Sequence, residues 1–298
     1  MSIQRDVTKL TEGVNGARSR TWSSIVFRQL RKNKGAMAGL VLLVMLVLTA
    51  LAAPIISPYG PTEQSRYSLE PPSRRHLMGT DPFGRDLFSR VVYGTRLSLR
   101  IGFISVGIGV TLGLLMGLVG GYYGGRVDSA LVMFVDTMLA FPGILLALAI
   151  AGVLGPGLRN VMIAVGIASV PLYARLMRGS VLSAKEEVYV DAARVLGCTD
   201  VRIMFRHVLP NVVAPLVVFG TLNLATAILS AAGLSFLGLG AQPPTPEWGL
   251  MVSGGRQFLR TGWWITTFPG LAIMITVMSI NLLGDGLRDA LDPRLRID

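Results

Sequence analysis

Charge is scarce in this chain. Only 15% of its 298 residues are Asp, Glu, Lys or Arg, against about 25% in a typical soluble domain. That deficit excludes an ordinary soluble globular protein, and a mean hydropathy of +0.57 agrees. Acid is scarcer than base: 17 Asp and Glu against 28 Lys and Arg leave a net charge of +11. A basic protein invites a nucleic-acid reading. Here the basic residues gather in the N-terminal tail and around Asp191, beside or between apolar segments. Topology control by cytoplasmic Lys and Arg explains them better, and no nucleic-acid partner is expected.

Cysteine is nearly absent. Cys198 stands alone, so no intrachain disulfide can form. The two histidines, His76 and His207, lie far apart without cysteine or carboxylate neighbours at ligand spacing, and no metal site is expected. Phosphate-loop and nucleophile-elbow signatures are both missing from the sequence. Nor are there the convergent His, Asp or Ser clusters of a membrane enzyme, so no catalytic residues are expected. The polar N-terminal segment is too long for the charged region of a cleavable signal, and the apolar run after it reads as a retained anchor.

What the chain does have is long apolar runs, several near the ~20 residues that cross a bilayer core. They predict an all-α, polytopic membrane protein with six spans: 36–56, 98–122, 129–153, 161–177, 212–234 and 264–287. The organisation follows: a cytoplasmic tail (1–35), the first span (36–56), an external loop (57–97), a core (98–287) with five spans and a polar insert (178–211), and a second tail (288–298). Within the first tail, Trp22–Asn33 could lie on the bilayer surface as an amphipathic helix, with Trp22, Ile25, Val26 and Leu30 on its apolar side. Placing both termini inside puts the larger share of Lys and Arg inside, although the 57–97 loop is itself basic. Gly109, Gly113, Gly117 and Gly121 recur every fourth residue. That row bares the backbone along one helix face, for tight packing within the protein or against a sister subunit.

The insert is the most distinctive segment. Asp191, Ala192 and Ala193 open a helical stretch, Gly197 breaks it, Thr199 and Asp200 start another, and Leu209–Pro210 should stop that one. Helix, glycine turn, helix makes a stiff knob that can transmit force to a partner.

This pattern resembles the coupling-loop (EAA) signature of ABC-importer permeases: Glu-Ala-Ala, three residues, Gly, nine residues, Ile-x-Leu-Pro. Asp191-Ala192-Ala193, Gly197 and Leu209-Pro210 fit the spacing, with Asp for the usual Glu and His207 at the Ile position. The segments Gly79–Leu99, Phe134–Gly155, Leu234–Gly249 and Asn281–Leu295 are similar to the C-type permease subunit of dipeptide/oligopeptide importers, a type shared by glutathione and nickel importers. The resemblance covers about residues 25–298. It implies a type I ABC importer transmembrane domain in a bacterial inner membrane, paired with a B-type permease subunit. It further implies two cytoplasmic ATPase subunits that bind the ATP and Mg, an external peptide-binding protein, and no cofactor in this chain. Asp191, Ala192, Ala193, Arg194, Gly197, Leu209 and Pro210 would couple to the ATPase. A gradient-driven secondary transporter is the rival class, and it should show more buried ionisable residues and an inverted repeat.

Beyond the insert, Asp136 is the acid well inside a span, a functional site by default. Pairing with Arg175 or Arg178 is expected, as a structural ion pair or a gate, with substrate contact as the third reading. Arg206 joins Arg194 as a candidate for ATPase contact, with a solvated face as the alternative. Outside, Asp81, Arg85 and Asp86 read as a hydrogen-bonded turn or as contacts to the binding protein. Trp248, in a proline-rich loop, reads as an external contact or, with Trp263 and Trp264, as a membrane-interface anchor. Pro142, Pro171, Pro215 and Pro269 are candidate kinks.

Overall fold

The computed structural model describes residues 30–291. Trp22, Ile25 and Val26 of the expected amphipathic helix, and the ends of both tails, lie outside the described residues. The described chain is helical. No strand forms among these residues, only the isolated bridges Gln64–Arg85 and Thr80–Asp86.

Helix α1 (Lys34–Leu51) starts on Asn33, whose side chain accepts the Ala36 amide, and α2 (Ala53–Ile56) extends it by one turn. Helix α3 (Leu87–Tyr123) has 37 residues, about 55 Å of rise at 1.5 Å per residue. It therefore overshoots the ~30 Å hydrocarbon core at one or both ends. The expected span from Ser98 lies inside this helix, whose first turns carry Arg90 and Arg96. The true start is a side-chain cap: Asp86 accepts both the amide (2.8 Å) and the hydroxyl (2.7 Å) of Ser89.

The third expected span is broken. Helices α4 (Gly125–Leu139) and α5 (Gly143–Leu154) meet at 90° around Phe141–Pro142. Proline has no N–H for the helix ladder and drives its predecessor out of the α region. Among the described residues, five helices could cross a membrane by length and composition, or six with this bent pair as one. Helix α6 (Leu158–Ala184) runs straight through Pro171.

The insert holds α7 (Val188–Val195) and α8 (Asp200–Arg202), then a π-helical stretch, Ile203–Val208, that leads directly into α9 (Leu209–Phe236). The expected stop at Leu209–Pro210 is therefore wrong. Upstream of Pro210 the ladder widens, and the Leu209 amide reaches back five residues to the Met204 carbonyl. That wider register makes room for the proline ring, so the helix carries on. A short α10 (Trp248–Gly255) and the long α11 (Trp264–Leu291) complete the chain.

The glycine row of α3 finds its partner inside the molecule. Gly109, Gly113, Gly117 and Gly121 lie against Ser169, Tyr173, Ala174, Met177 and Val181 of α6, so close that a Cβ at Gly117 would sit 2.6 Å from the Ala174 carbonyl oxygen. Elsewhere Gly39 of α1 abuts the α11 backbone at Ser279, and Gly102 of α3 meets Leu224 and Ile228 of α9. Small residues thus let the helices approach at backbone distance, where packing drives association in lipid.

At the end of α3 that starts with Asp86, residues 57–86 and 237–263 fold into a compact cap. Trp248 is fully buried and donates its indole N–H to the Val91 carbonyl at 3.0 Å; Trp264 does the same to the Thr80 carbonyl at 3.1 Å. Neither serves as a membrane-interface anchor, and Trp248 offers no external contact, because the indole found its acceptor within the fold. Trp263 alone of the three is exposed. The Asp81–Arg85 hydrogen-bonded turn is present, with Nε–Oδ2 at 2.5 Å. Asp86 instead pairs with buried His76 at 2.9 Å. Arg85 and Asp86 are both buried, and in this conformation neither is a surface contact for a partner. Arg90 ties the two cap segments together by donating to the Pro61 and Pro244 carbonyls.

Glu247 caps α10 by accepting the Gly249 (2.9 Å) and Leu250 (2.8 Å) amides. Burial pushes its carboxyl above the usual range, and these two amides partly offset the shift. The folded cap therefore holds the proton more tightly than the unfolded chain. Stability from this group is present below the ordinary carboxylate pKa and is lost as pH rises through the raised value. Thermal melts of the purified protein should decline with pH across that window, and Glu247→Gln should flatten the decline. Parallel slopes for both proteins would contradict the assignment.

Candidate functional site

The knob is built by one glycine. Gly197 sits at φ +77°, a conformation that costs an L-residue about 1 kcal/mol or more. Its amide bonds the Arg194 carbonyl at 2.9 Å, while the Cys198 amide bonds the Ala193 carbonyl at 3.1 Å. These are the two bonds of a Schellman turn, which satisfies the carbonyls at the end of α7. The helix itself begins at Val188, three residues before the expected Asp191, with Glu187 as cap.

Two faces of α7 differ sharply. Val190 and Ala193 point inward, into a cluster with Ile203, Met204 and Val208 of the π stretch and Leu118, Tyr122, Met177 and Val181 of α3 and α6. The tip is a further anchor: the Tyr122 hydroxyl donates to Asp200 at 2.7 Å, tying the insert to the far end of α3. The outward face carries Val188, Val195 and Leu196, which are 81%, 86% and 82% exposed. Ala192 lies on that face and is exposed too. Val188, Ala192 and Val195 follow i, i+4, i+7 spacing, a single apolar stripe. Asp191 and Arg194 pair with each other at 3.2 Å and stay exposed.

The sequence-level site residues therefore separate. Asp191, Ala192, Arg194 and Gly197 are at the surface, as is Pro210, whereas Ala193 is buried and Leu209 half-buried inside the helix leading to α9. Ala193 holds the knob to the bundle and cannot itself touch a partner. The sequence pattern missed Val188, Val195 and Leu196; their signal was available as apolar residues on the polar side of a short helix. Arg206 is exposed on the π stretch.

At the same end, α6 is tied to α4 by two ion pairs. Asp136 meets Arg175 at 2.6 Å, and Asp128 meets Arg178 in a two-point contact at 2.5 and 2.6 Å. Asp136 thus takes Arg175 of the two expected candidates. Asp128, which sequence reasoning passed over at the edge of a span, takes the other. The pairs border a small cavity of about 60 Å³ between α3, α4 and α6.

Residues 109–297 match the family described as binding-protein-dependent transport system inner membrane component, and residues 21–72 match the N-terminal TM domain of oligopeptide transport permease C. The chain is 49% identical over 273 residues to the dipeptide transport system permease protein DppC of Alkalihalophilus pseudofirmus, spanning 91% of this chain and 89% of that one. It is 49% identical over 271 residues to the di/tripeptide permease protein DppC of Pseudomonas aeruginosa, spanning 89% of each. Against the glutathione transport system permease protein GsiD of Shigella flexneri it is 48% identical over 272 residues, 91% of this chain and 90% of that one. In fold it is similar to a chain of the inward-facing methionine ABC transporter MetNI, with TM-score 0.55 and 21% identity over 68% of this chain and 97% of that chain. The fold is that of a type I ABC importer transmembrane domain. This chain belongs to the binding-protein-dependent permease family, in its C-type peptide and glutathione branch.

Proposed function

We propose that this chain is the C-type permease subunit of an ATP-driven importer for di- and oligopeptides, coupled to its motor through the Val188–Val195 knob. The observation that carries the reading is the apolar stripe of Val188, Ala192, Val195 and Leu196, left uncovered on a knob otherwise locked to the bundle. Exposed apolar surface rimmed by charge marks an interaction site. The insert end is cytoplasmic, as are both termini, and the Trp248 cap is external. A B-type permease subunit completes the pore, two cytoplasmic ATPase subunits hold ATP and Mg, and an external binding protein delivers cargo. The roles of the segments follow: a cytoplasmic tail, a first span, an outer segment and a five-span core. Closure of the ATPase pair moves the knob as a rigid body, and α3, tied to it through Tyr122–Asp200, carries the motion along its length.

Peptide cargo is favoured by the dipeptide permeases among the relatives. The glutathione permeases at similar identity keep glutathione, and more distantly nickel chelates, as the alternative cargo. Reconstitution with the partner subunits should give ATP-dependent uptake of labelled alanyl-alanine in preference to glutathione. Uptake by this chain alone, driven by an ion gradient without ATP, would contradict the reading.

The Asp136–Arg175 pair is assigned to gating, because both side chains are more than half exposed and so contribute little to holding the fold. Asp136→Asn should leave complex yield unchanged and slow uptake about tenfold, equivalent to about 1.4 kcal/mol. Exchanging the two residues should restore uptake. Loss of assembly in Asp136→Asn would make the pair structural instead.

A further inference from the structure

The structure assigns a cargo-contact subsite to a crevice between α5, α6 and α9, lined by Ser169, Tyr173, Asn223, Thr226 and Ser230, which takes neutral hydrogen-bonding groups such as the main-chain amides of a peptide. This inference rests on the importer reading above and adds the residues that meet the cargo in transit.

The crevice has a volume of about 130 Å³ and lies near the middle of α6 and α9. The polar groups stand among apolar ones, Val106, Ile144, Leu172 and Ala227 included, and none of the described lining residues carries a charge. Tyr173 is completely buried, yet its hydroxyl has no hydrogen-bond partner. An orphaned buried hydroxyl is costly unless something else satisfies it. Asn223 uses one N–H on a long, 3.4 Å bond to the Phe219 carbonyl, so its amide too has unused capacity. Thr226 is exposed at the crevice mouth.

The mouth opens on a face unsuited to lipid. Ala168, Leu172, Arg175 and Gly179 form one stripe along α6 at i, i+4, i+7 and i+11 that this chain leaves largely uncovered, Ala168 half-buried and the other three exposed. That stripe joins the crevice to the Asp136–Arg175 pair, whose side chains are 53% and 62% exposed. Charged side chains within spans turn to a water-filled passage or a protein neighbour, not to acyl chains. By contrast, beyond its first turn the exposed residues of α1 are all apolar, Val41, Met45 and Leu48 among them. The crevice therefore looks onto the translocation passage. Its chemistry suits transit: neutral donors and acceptors match peptide amides whatever the side chains, and without a fixed charge they hold too weakly to trap the cargo.

The single cysteine makes a direct test practical. In a Cys198→Ala background, Thr226→Cys and Met45→Cys are each placed in the assembled transporter in inside-out vesicles. A charged, membrane-impermeant thiol reagent should modify Thr226→Cys and leave Met45→Cys unmodified. Alanyl-alanine, supplied with binding protein and ATP, should slow the modification. Tyr173→Phe should raise the alanyl-alanine concentration for half-maximal uptake about fivefold, the loss of one hydrogen bond, with complex yield unchanged. Failure to modify Thr226→Cys in the assembled transporter overturns the proposal. So does modification that alanyl-alanine does not slow while it is being transported, or an unchanged half-saturation in Tyr173→Phe. If the unmodified transporter takes up no di- or tripeptide, the peptide reading fails separately, and the labelling then decides whether the crevice is water-lined.

Discussion

Replacing both Val195 and Leu196 by Asp should release the ATPase subunits and abolish uptake while leaving the permease folded. The two side chains are 86% and 82% exposed and make little contact with their own bundle, so nothing in this chain depends on them. In the proposed complex they fill a groove on the ATPase. Burying a valine or leucine contributes about 1.5–3 kcal/mol each. Losing both, and forcing two carboxylates toward the groove, should weaken association at least ~100-fold. Co-purification of tagged permease with its ATPase subunits measures this directly. Ala193→Asp should fail in a different way. Its side chain is packed among Val190, Ile203 and Met204, so a charge there is buried without a partner and the folded permease is lost. Intact ATPase binding by the Val195/Leu196 double variant would place the docking surface elsewhere.

The second large effect belongs to the α3–α6 seam. A Cβ at Gly113 would collide with the Tyr173 Cβ and lie 2.9 Å from the Ala174 nitrogen and the Val170 oxygen. Two of these three neighbours are backbone, which cannot turn aside as a side chain can. Gly113→Val must therefore push the two helices apart, an overpacking cost of about 3 kcal/mol or more. Folded yield from membranes should fall severely. Gly107 sits on the same helix with nothing near its missing Cβ, and Gly107→Val should be tolerated. Similar yields for the two variants would show that the seam is not close-packed in the membrane.

Much of this architecture is readable in the sequence, for physical reasons that also mark the limits. Apolar runs announce membrane helices because length and hydropathy are local properties. The glycine row of α3 announces a close approach in the same way, but its partner is a matter of tertiary packing, and only the structure turns the row onto α6. Proline is the least reliable signal. Pro171 and Pro269 sit inside unbroken helices, Pro210 is accommodated by a π stretch, and Pro142 bends its segment by 90°. Each proline removes the same hydrogen bond, and the neighbours decide whether the helix repairs it. The insert is legible as helix, glycine turn, helix, yet which of its sides lies uncovered is not. The motif residue Ala193 faces the bundle, and the unremarked Val195 and Leu196 face outward, because motif spacing does not say which side of a short helix is covered. Likewise the tryptophans read as surface anchors until Val91 and Thr80 supplied carbonyls inside the cap.

The rival reading of a gradient-driven transporter needs ionisable groups buried along a path. Asp128, Asp136, Arg175 and Arg178 are instead paired between α4 and α6, with Asp136 and Arg175 largely exposed. That arrangement suits an element moved from outside by a motor better than a proton relay within the chain.

The most direct measurement is site-specific cross-linking of the knob during turnover. With Cys198→Ala removing the sole native cysteine, Leu196→Cys and Ala193→Cys can each be offered to a short thiol cross-linker in the assembled transporter. The account expects Leu196→Cys to capture an ATPase subunit both with and without ATP, and Ala193→Cys to capture none. Should Leu196→Cys never capture an ATPase subunit while uptake continues with residues 188–197 scrambled, the knob is not the coupling element.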